Sequence, residues 1–164
     1  MLLLEQNRPI MLKVGYAFAR SSADRDDLIA NMTAALWSSF GRYDDRLKFS
    51  TWMYRVVLNV AISFSRRDRK QREHDANIDS QTLARASAAA EIDPNLERLL
   101  EFIATLPELD RALMLLYLDD LTCEQISEVL GLSATNVATK LSRIRARAKT
   151  TLAPDAANTH GEAR

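Results

Sequence analysis

Residues 131–151, GLSATNVATKLSRIRARAKTT, carry five positive side chains and no negative one. The whole chain of 164 residues is formally neutral, with 22 basic and 22 acidic side chains. The segment therefore gathers charge that is balanced elsewhere. Within it, Val137, Leu141, Ile144 and Ala148 recur at spacings of four, three and four, the period of one buried helix face. Thr135, Asn136, Thr139, Ser142 and Arg143 then project from the other side, with Lys140, Arg145, Arg147 and Lys149 around it. Upstream, Thr122 can cap a helix over CEQISEVL, Gly131 can supply a left-handed turn residue, and Ser133 can cap the final helix. Two short helices joined through GLS outline a helix-turn-helix. The outward polar side chains of its second helix suit base edges. The flexible cations suit phosphates, which they neutralise without reading sequence. A merely solvated basic helix would need neither the capped turn nor the absence of acids.

Working outward, charge is uneven along the whole chain. Residues 1–70 hold 12 basic and 7 acidic side chains, residues 71–110 hold 3 and 9, and residues 111–164 hold 7 and 6. Two basic blocks flank an acidic middle, as expected of separate modules with different partners. Only four Gly and four Pro, with abundant Ala, Leu and Arg, favour helices. No segment alternates like a strand. Ile10, Val14, Ala17 and Phe18 predict a first helix. Asp24 serves as the cap of a second, with Leu28, Met32, Leu36 and Phe40 on one face. GRYDDRLKFS (41–50) reads as a loop, and Trp52, Val56, Val60 and Phe64 predict a third helix. Trp37 and Trp52 read as core packing. Leu96, Leu99, Leu100 and Ile103 fit a further helix, and Leu109, Ala112, Leu113 and Leu116 another. The expected fold class is all-α: two small helical domains, residues 1–70 and 95–152, the second containing the helix-turn-helix. A flexible acidic linker, residues 71–94, joins them, and residues 153–164 form a tail.

The same residues argue against several functions. The apolar start MLLL is interrupted by Glu5 and Arg8, too soon for a signal peptide or a membrane span. Cys123 stands alone, so no internal disulfide is possible and a cytoplasmic location is expected. His74 and His160 lie far apart with no ligand cluster near either, so no metal or other cofactor is expected. No nucleophile–base pair is recognisable, and catalysis is not expected.

Residues 106–149, LPELDRALMLLYLDDLTCEQISEVLGLSATNVATKLSRIRARAK, resemble the fourth conserved region of bacterial extracytoplasmic-function sigma factors. The resemblance rests on Leu106-Pro107, Asp120-Leu121-Thr122, Glu124 and Ile126, Leu130-Gly131, and Val137 to Arg147. Residues 26–70, DDLIANMTAALWSSFGRYDDRLKFSTWMYRVVLNVAISFSRRDRK, are similar to the second conserved region. Here it rests on Asp27-Leu28, Trp37, Arg42-Tyr43-Asp44, Phe49, Thr51-Trp52, Tyr54-Arg55, Asn59 and Arg66-Arg67. A helix-turn-helix alone is a weak signal, but both regions in order are a specific one.

The resemblance implies a transcription initiation factor that joins core RNA polymerase and recognises promoter DNA. Thr135, Asn136, Thr139, Lys140, Ser142, Arg143, Arg145 and Arg147 would meet the −35 element as duplex. Tyr43, Phe49, Arg55, Asn59, Ser63, Arg66 and Arg67 would capture the −10 element as it melts. Asp27, Leu28, Asn31 and Trp37 would contact the polymerase clamp. The residues themselves suit this division: Tyr43 and Phe49 offer aromatic surface, and Arg55, Asn59 and Ser63 share a helix face at four-residue spacing. Relatives are commonly masked by an anti-sigma protein, and the same kind of partner is expected here. The chain departs from the family at Ala30 and Thr33, where members commonly carry Gln and Phe, and at Ala138, where many carry Lys or Arg. The alternative is a helix-turn-helix regulator acting on duplex DNA without polymerase, which has no need of a loop for melted DNA.

Overall fold

The computed structural model describes residues 2–75 and 94–152, and among them lie eight α-helices, one 3₁₀ turn and no strand. The first half contains α1 (Leu2–Gln6), α2 (Arg8–Phe18), α3 (Ser22–Ser39) and α4 (Phe49–Asp75). The second contains α5 (Pro94–Thr105), α6 (Glu108–Leu118), α7 (Cys123–Leu130) and α8 (Ala134–Leu152). The chain is all-α, as expected. The linker expected over 71–94 falls mostly outside the described residues, although α4 runs on to Asp75 and α5 starts at Pro94. The expected tail lies outside them.

Local chemistry explains where these helices begin. At α3 the cap is Ser21, not Asp24. The Ser21 hydroxyl accepts from the Asp24 amide at 3.0 Å, and the Asp24 carboxylate accepts from the Ser21 amide at 3.2 Å. This Ser-x-x-Asp reciprocity satisfies two orphan amides at once, which Asp24 alone as the cap would not. The helix ends at Ser39, and Phe40 opens the 3₁₀ turn Phe40–Arg42. Phe40 therefore leaves the stripe that buries Leu28, Met32 and Leu36, and stands half exposed.

In α4 the buried side is broader than the expected Trp52–Val56–Val60–Phe64 row. Trp52, Met53, Tyr54, Val57, Leu58 and Ala61 are buried, whereas Val56, Val60 and Phe64 are only half-buried. A strict four-residue row turns by about 40° at each step and walks off a fixed face. Helix α4 also packs on two sides, against α2 and α3 and against α6 and α7. Leu96 of α5 is exposed rather than internal, and Phe102, Ile103 and Leu106 supply the buried side of that segment.

The two halves are docked on each other. Helix α2 packs against α5 and α6, and the buried apolar residues of both halves belong to one connected cluster. Arg111, at the start of α6, joins them. It donates to the Ala17 carbonyl at the end of α2 and to the Ala104 and Leu106 carbonyls at the end of α5, at 2.8–3.1 Å. Its guanidinium lies 5.2 Å from the centre of the Phe18 ring. A single half-buried cation thus terminates helices from both halves, where unsatisfied carbonyls and the helix dipole favour positive charge.

Candidate nucleic-acid interface

The helix-turn-helix is built by three capping devices. Thr122 and Gln125 form a capping box at the start of α7, with amide-to-side-chain distances of 3.3 and 2.8 Å. Gly131 follows at φ 68°, ψ 29°, the left-handed conformation that ends a helix, and its amide donates to the Ser127 carbonyl at 2.9 Å. The Ser127 hydroxyl donates to the Leu132 carbonyl at 2.7 Å, fastening the turn from within. Ser133 then accepts from the Asn136 amide at 3.2 Å and starts α8. Thr122, Gly131 and Ser133 thus do what their types and spacing predict.

Helix α8 buries the whole Val137–Leu141–Ile144–Ala148 stripe. Thr135, Asn136, Thr139, Ser142, Arg143, Arg145 and Arg147 are exposed. They are not equally available. The Thr139 hydroxyl donates to the Thr135 carbonyl at 2.9 Å. Lys140 is half-buried, and its ammonium lies 2.9 Å from an Asp110 carboxylate oxygen. The guanidinium of Arg145 lies 5.6 Å from the Tyr117 ring centre, and that of Arg147 lies 5.9 Å from the Phe102 ring centre. Such contacts orient a cation while leaving its charge available. Arg143 makes no ion pair among the described residues and points outward from the middle of the exposed face. At the start of α7, the Glu124 carboxyl is held below its ordinary range by its own backbone amide and the Thr122 hydroxyl.

A second polar surface runs along α4. Arg55, Asn59 and Ser63 are exposed, and their four-residue spacing puts them on one side. Arg66 and Arg67 are exposed further along. Arg55 is engaged, because its Nη2 donates to the Glu128 carbonyl of α7 at 2.6 Å. The loop before α4 is held by an aromatic cluster. The Tyr43 ring lies 5.4 Å from Phe49 and 5.2 Å from Trp52, and its hydroxyl donates to the Leu47 carbonyl at 2.8 Å. Phe49 is buried and Tyr43 half-buried, so both scaffold the loop more than they offer a stacking face. In the same loop Asp44 and Arg46 form an exposed, forked ion pair that holds the Asp44 carboxyl below its ordinary range.

A third surface lies on α3. Asp27 and Asn31 are exposed, as are Ala30 and Thr33. Leu28 is fully buried and belongs to the core. Trp37 overturns the expectation of core packing: it is 68% exposed, whereas Trp52 is buried as expected. Phe40, 49% exposed, continues this aromatic surface and was hidden in the sequence by its four-residue spacing from Leu36. The signal that could have revealed it is Gly41, a poor helix former directly after it. Arg111 had a fainter signal, a lone cation before the apolar run ALMLLYL.

Comparison with known proteins places both halves. Residues 3–71 match the family model for sigma-70 region 2, and residues 96–147 match that for sigma-70 region 4. No curated protein matches the sequence. The sigma factor RpoE, solved in complex with the anti-sigma factor NepR from Bartonella quintana, has a similar fold. It is 15% identical, with a TM-score of 0.77 over 93% of this chain and 95% of that one. CnrH, solved with the cytosolic domain of CnrY, is also similar, at 21% identity and a TM-score of 0.66 over 94% of this chain and 87% of that one.

Proposed function

This chain belongs to the sigma-70 family, as a sigma factor of the extracytoplasmic-function type, and on that premise we propose how its surfaces divide promoter recognition. Residues 1–70 act as region 2, on the polymerase clamp and the −10 element. Residues 95–152 act as region 4, on the −35 element, and residues 71–94 connect them. Helix α8 enters the major groove of the −35 duplex, with Arg143, Ser142, Thr139 and Asn136 toward base edges. Arg145, Arg147 and Lys149 take phosphates. Lys140 is the weakest candidate of the set, since Asp110 already neutralises it.

On α4, Asn59, Ser63 and Arg55 take the melted −10 strand, whose unstacked bases expose their pairing edges. Arg66 and Arg67 follow its backbone. Trp37, with Asp27 and Asn31 on the same helix and Phe40 just beyond its end, forms the surface that docks on core polymerase. An exposed aromatic pair is the kind of anchor that dominates such contacts. Sigma factors are transcription factors, and the chemistry of initiation is the polymerase's. Among the described residues no helix is long and apolar enough to cross a membrane, and the proposed place of action is the cytoplasm. The two similar folds were each solved with a second protein, an anti-sigma factor in one case, which supports a masking partner of the same kind here.

The observation that carries this reading is the tandem of matched regions, each presenting one exposed polar helix face. The test uses holoenzyme reconstituted with this chain and two probes drawn from a promoter it transcribes. One probe is a duplex with only the −35 element, and the other is a fork with only an unpaired −10 strand. Asn59→Ala weakens binding to the fork alone, and Arg143→Ala weakens binding to the duplex alone. Loss on both probes from either substitution would break the proposed division.

A further inference from the structure

Between the start of α4 and the turn from α6 to α7 lies a cavity of about 220 Å³. At about 30 Å³ per water it has room for about seven waters, the size of a small amino acid rather than of a nucleotide. Its two walls carry opposite charge. On the α4 side stand Lys48, Thr51 and Tyr54. Thr51 is 9% exposed and Tyr54 4%, yet neither hydroxyl has a hydrogen-bond partner among the described residues. Buried hydroxyls are ordinarily satisfied, so two orphans lining one cavity point to a ligand that satisfies them. The first amides of α4 also lack helical partners and carry the positive end of its dipole. On the other side stand Asp119, Asp120 and Gln125. Asp119 contacts the Lys13 ammonium, whereas Asp120 makes no ion pair among the described residues, with Lys48 or any other cation. Asp120 ends α6 at φ 58°, its amide donating to the Tyr117 carbonyl at 3.1 Å. Glycine is the usual residue in that left-handed position, so a carboxylate is held here against the preference of the backbone. Gln125 accepts from the Thr122 amide through Oε1 at 2.8 Å, which leaves its NH₂ group to donate.

We propose that this cavity is a binding site for a small zwitterion of the amino-acid class. The ligand's carboxylate lies at the α4 end, where Lys48, the Thr51 and Tyr54 hydroxyls and the first-turn amides donate to it. Its ammonium lies at Asp120. A simple anion would meet two carboxylates, and a metal cation would meet Lys48 and the positive end of the helix. Opposite charges carried on one small molecule satisfy both walls at once. The bound molecule also stabilises the folded chain by mass action. None of these residues is among those assigned to promoter DNA or to polymerase, so the site stands whether or not that division holds.

The test titrates the full chain by calorimetry with each standard L-amino acid in turn, and with acetate and methylammonium, which carry one charge each. At least one small amino acid should bind saturably, with a Kd below about 1 mM. Acetate, methylammonium and the large aromatic amino acids should bind at least about tenfold more weakly. Thr51→Val and Tyr54→Phe each delete one orphan hydroxyl while keeping the shape of the side chain, and each should weaken binding about three- to tenfold. Asp120→Asn keeps a residue that tolerates the left-handed turn but removes the charge, and should weaken binding about tenfold or more. Asp120→Gly relaxes the same turn, so it should melt higher than the parent without ligand and still bind poorly. An Asp120 that merely ends α6 would give the rise in melting temperature with no loss of binding, which overturns the proposal. No amino acid binding below about 1 mM, acetate binding as tightly as the best amino acid, or affinity untouched by Thr51→Val, Tyr54→Phe and Asp120→Asn would each overturn it as well. Should a hydroxyl variant melt lower than the parent, Asp120→Asn decides: lost binding in a chain of unchanged melting temperature supports the site, and retained binding overturns it.

Discussion

Gly131 tests whether the turn of the helix-turn-helix is understood. Its backbone is left-handed, at φ 68°, and a Cβ built on it meets nothing within 4 Å. Substitution by Ala therefore carries a conformational cost without a steric one. That cost is about 1–2 kcal/mol for an ordinary residue in this region. It is offset by about 0.4–1 kcal/mol because the unfolded chain also loses freedom. The net destabilisation of Gly131→Ala should be about 1 kcal/mol, a fall in melting temperature of about 2–4 °C for a chain of this size. Gly131→Asn should cost less, because Asn tolerates the left-handed region. The amide bonds to Ser127 and the Ser127–Leu132 bond survive in both variants. Thermal unfolding followed by circular dichroism measures the three proteins side by side. A loss of about 3 kcal/mol or more for Ala, or an Asn variant no better than Ala, would refute the reasoning, because the site would then be crowded or not left-handed.

Arg143→Ala should cost about 1–3 kcal/mol on the preferred −35 sequence and much less on others, whereas Arg147→Ala should weaken all duplexes alike and lower the salt slope by about one. Titrations across a −35 library at two salt concentrations separate the two, and equal losses on every sequence would show that the reading face is misplaced. Trp37→Ala should change stability by no more than about 0.5 kcal/mol, since the ring is mostly in solvent, yet weaken core-polymerase binding by about 2 kcal/mol. A large drop in melting temperature would mean that the ring is packed after all. Burial raises the Asp68 carboxyl above its ordinary range, with Arg20 opposing the shift and Asp24 adding to it. A raised acid costs the fold stability while ionised, and the cost disappears as pH falls below the unfolded-state pKa. The carboxylate also pairs with Arg72 one helical turn away at 2.8 Å, an exposed contact worth only about 0.3–0.5 kcal/mol. Asp68→Asn should therefore melt no lower than the parent near neutral pH, with any gap closing toward about pH 4. A gap that stays constant with pH would count against the burial argument.

The helix-turn-helix was legible almost residue by residue, because caps and turns are local chemistry. Thr122, Gly131 and Ser133 announce themselves by type and spacing, and a four-three-four stripe has one stable orientation. The faces of α3 and α4 were harder to read. Phe40 and Trp37 look like core residues by hydrophobicity, yet a helix end and the position of one turn put both in solvent. The row from Trp52 to Phe64 followed a spacing of four where the true packing surface is wide, since α4 is covered from two sides. The docking of the halves was not legible. It depends on pairs separated by 39 to 106 positions, such as Arg69–Glu108 and Lys13–Asp119. Only the alternation of basic and acidic blocks hinted at it, and that alternation served equally well as evidence for separate modules. The role of Arg111 was hidden for the same reason, because its partners are backbone carbonyls of distant helices.

The central claim is that this chain directs core RNA polymerase to promoters, and run-off transcription tests it most directly. Bacterial core polymerase is incubated with promoter fragments from a genomic library, with and without the purified chain. The account predicts transcripts of discrete length that appear only with the chain, start at a fixed distance from shared −35 and −10 elements, and disappear with Trp37→Ala at limiting concentration. A chain that binds duplex DNA but yields no promoter-dependent transcript with core polymerase would contradict it.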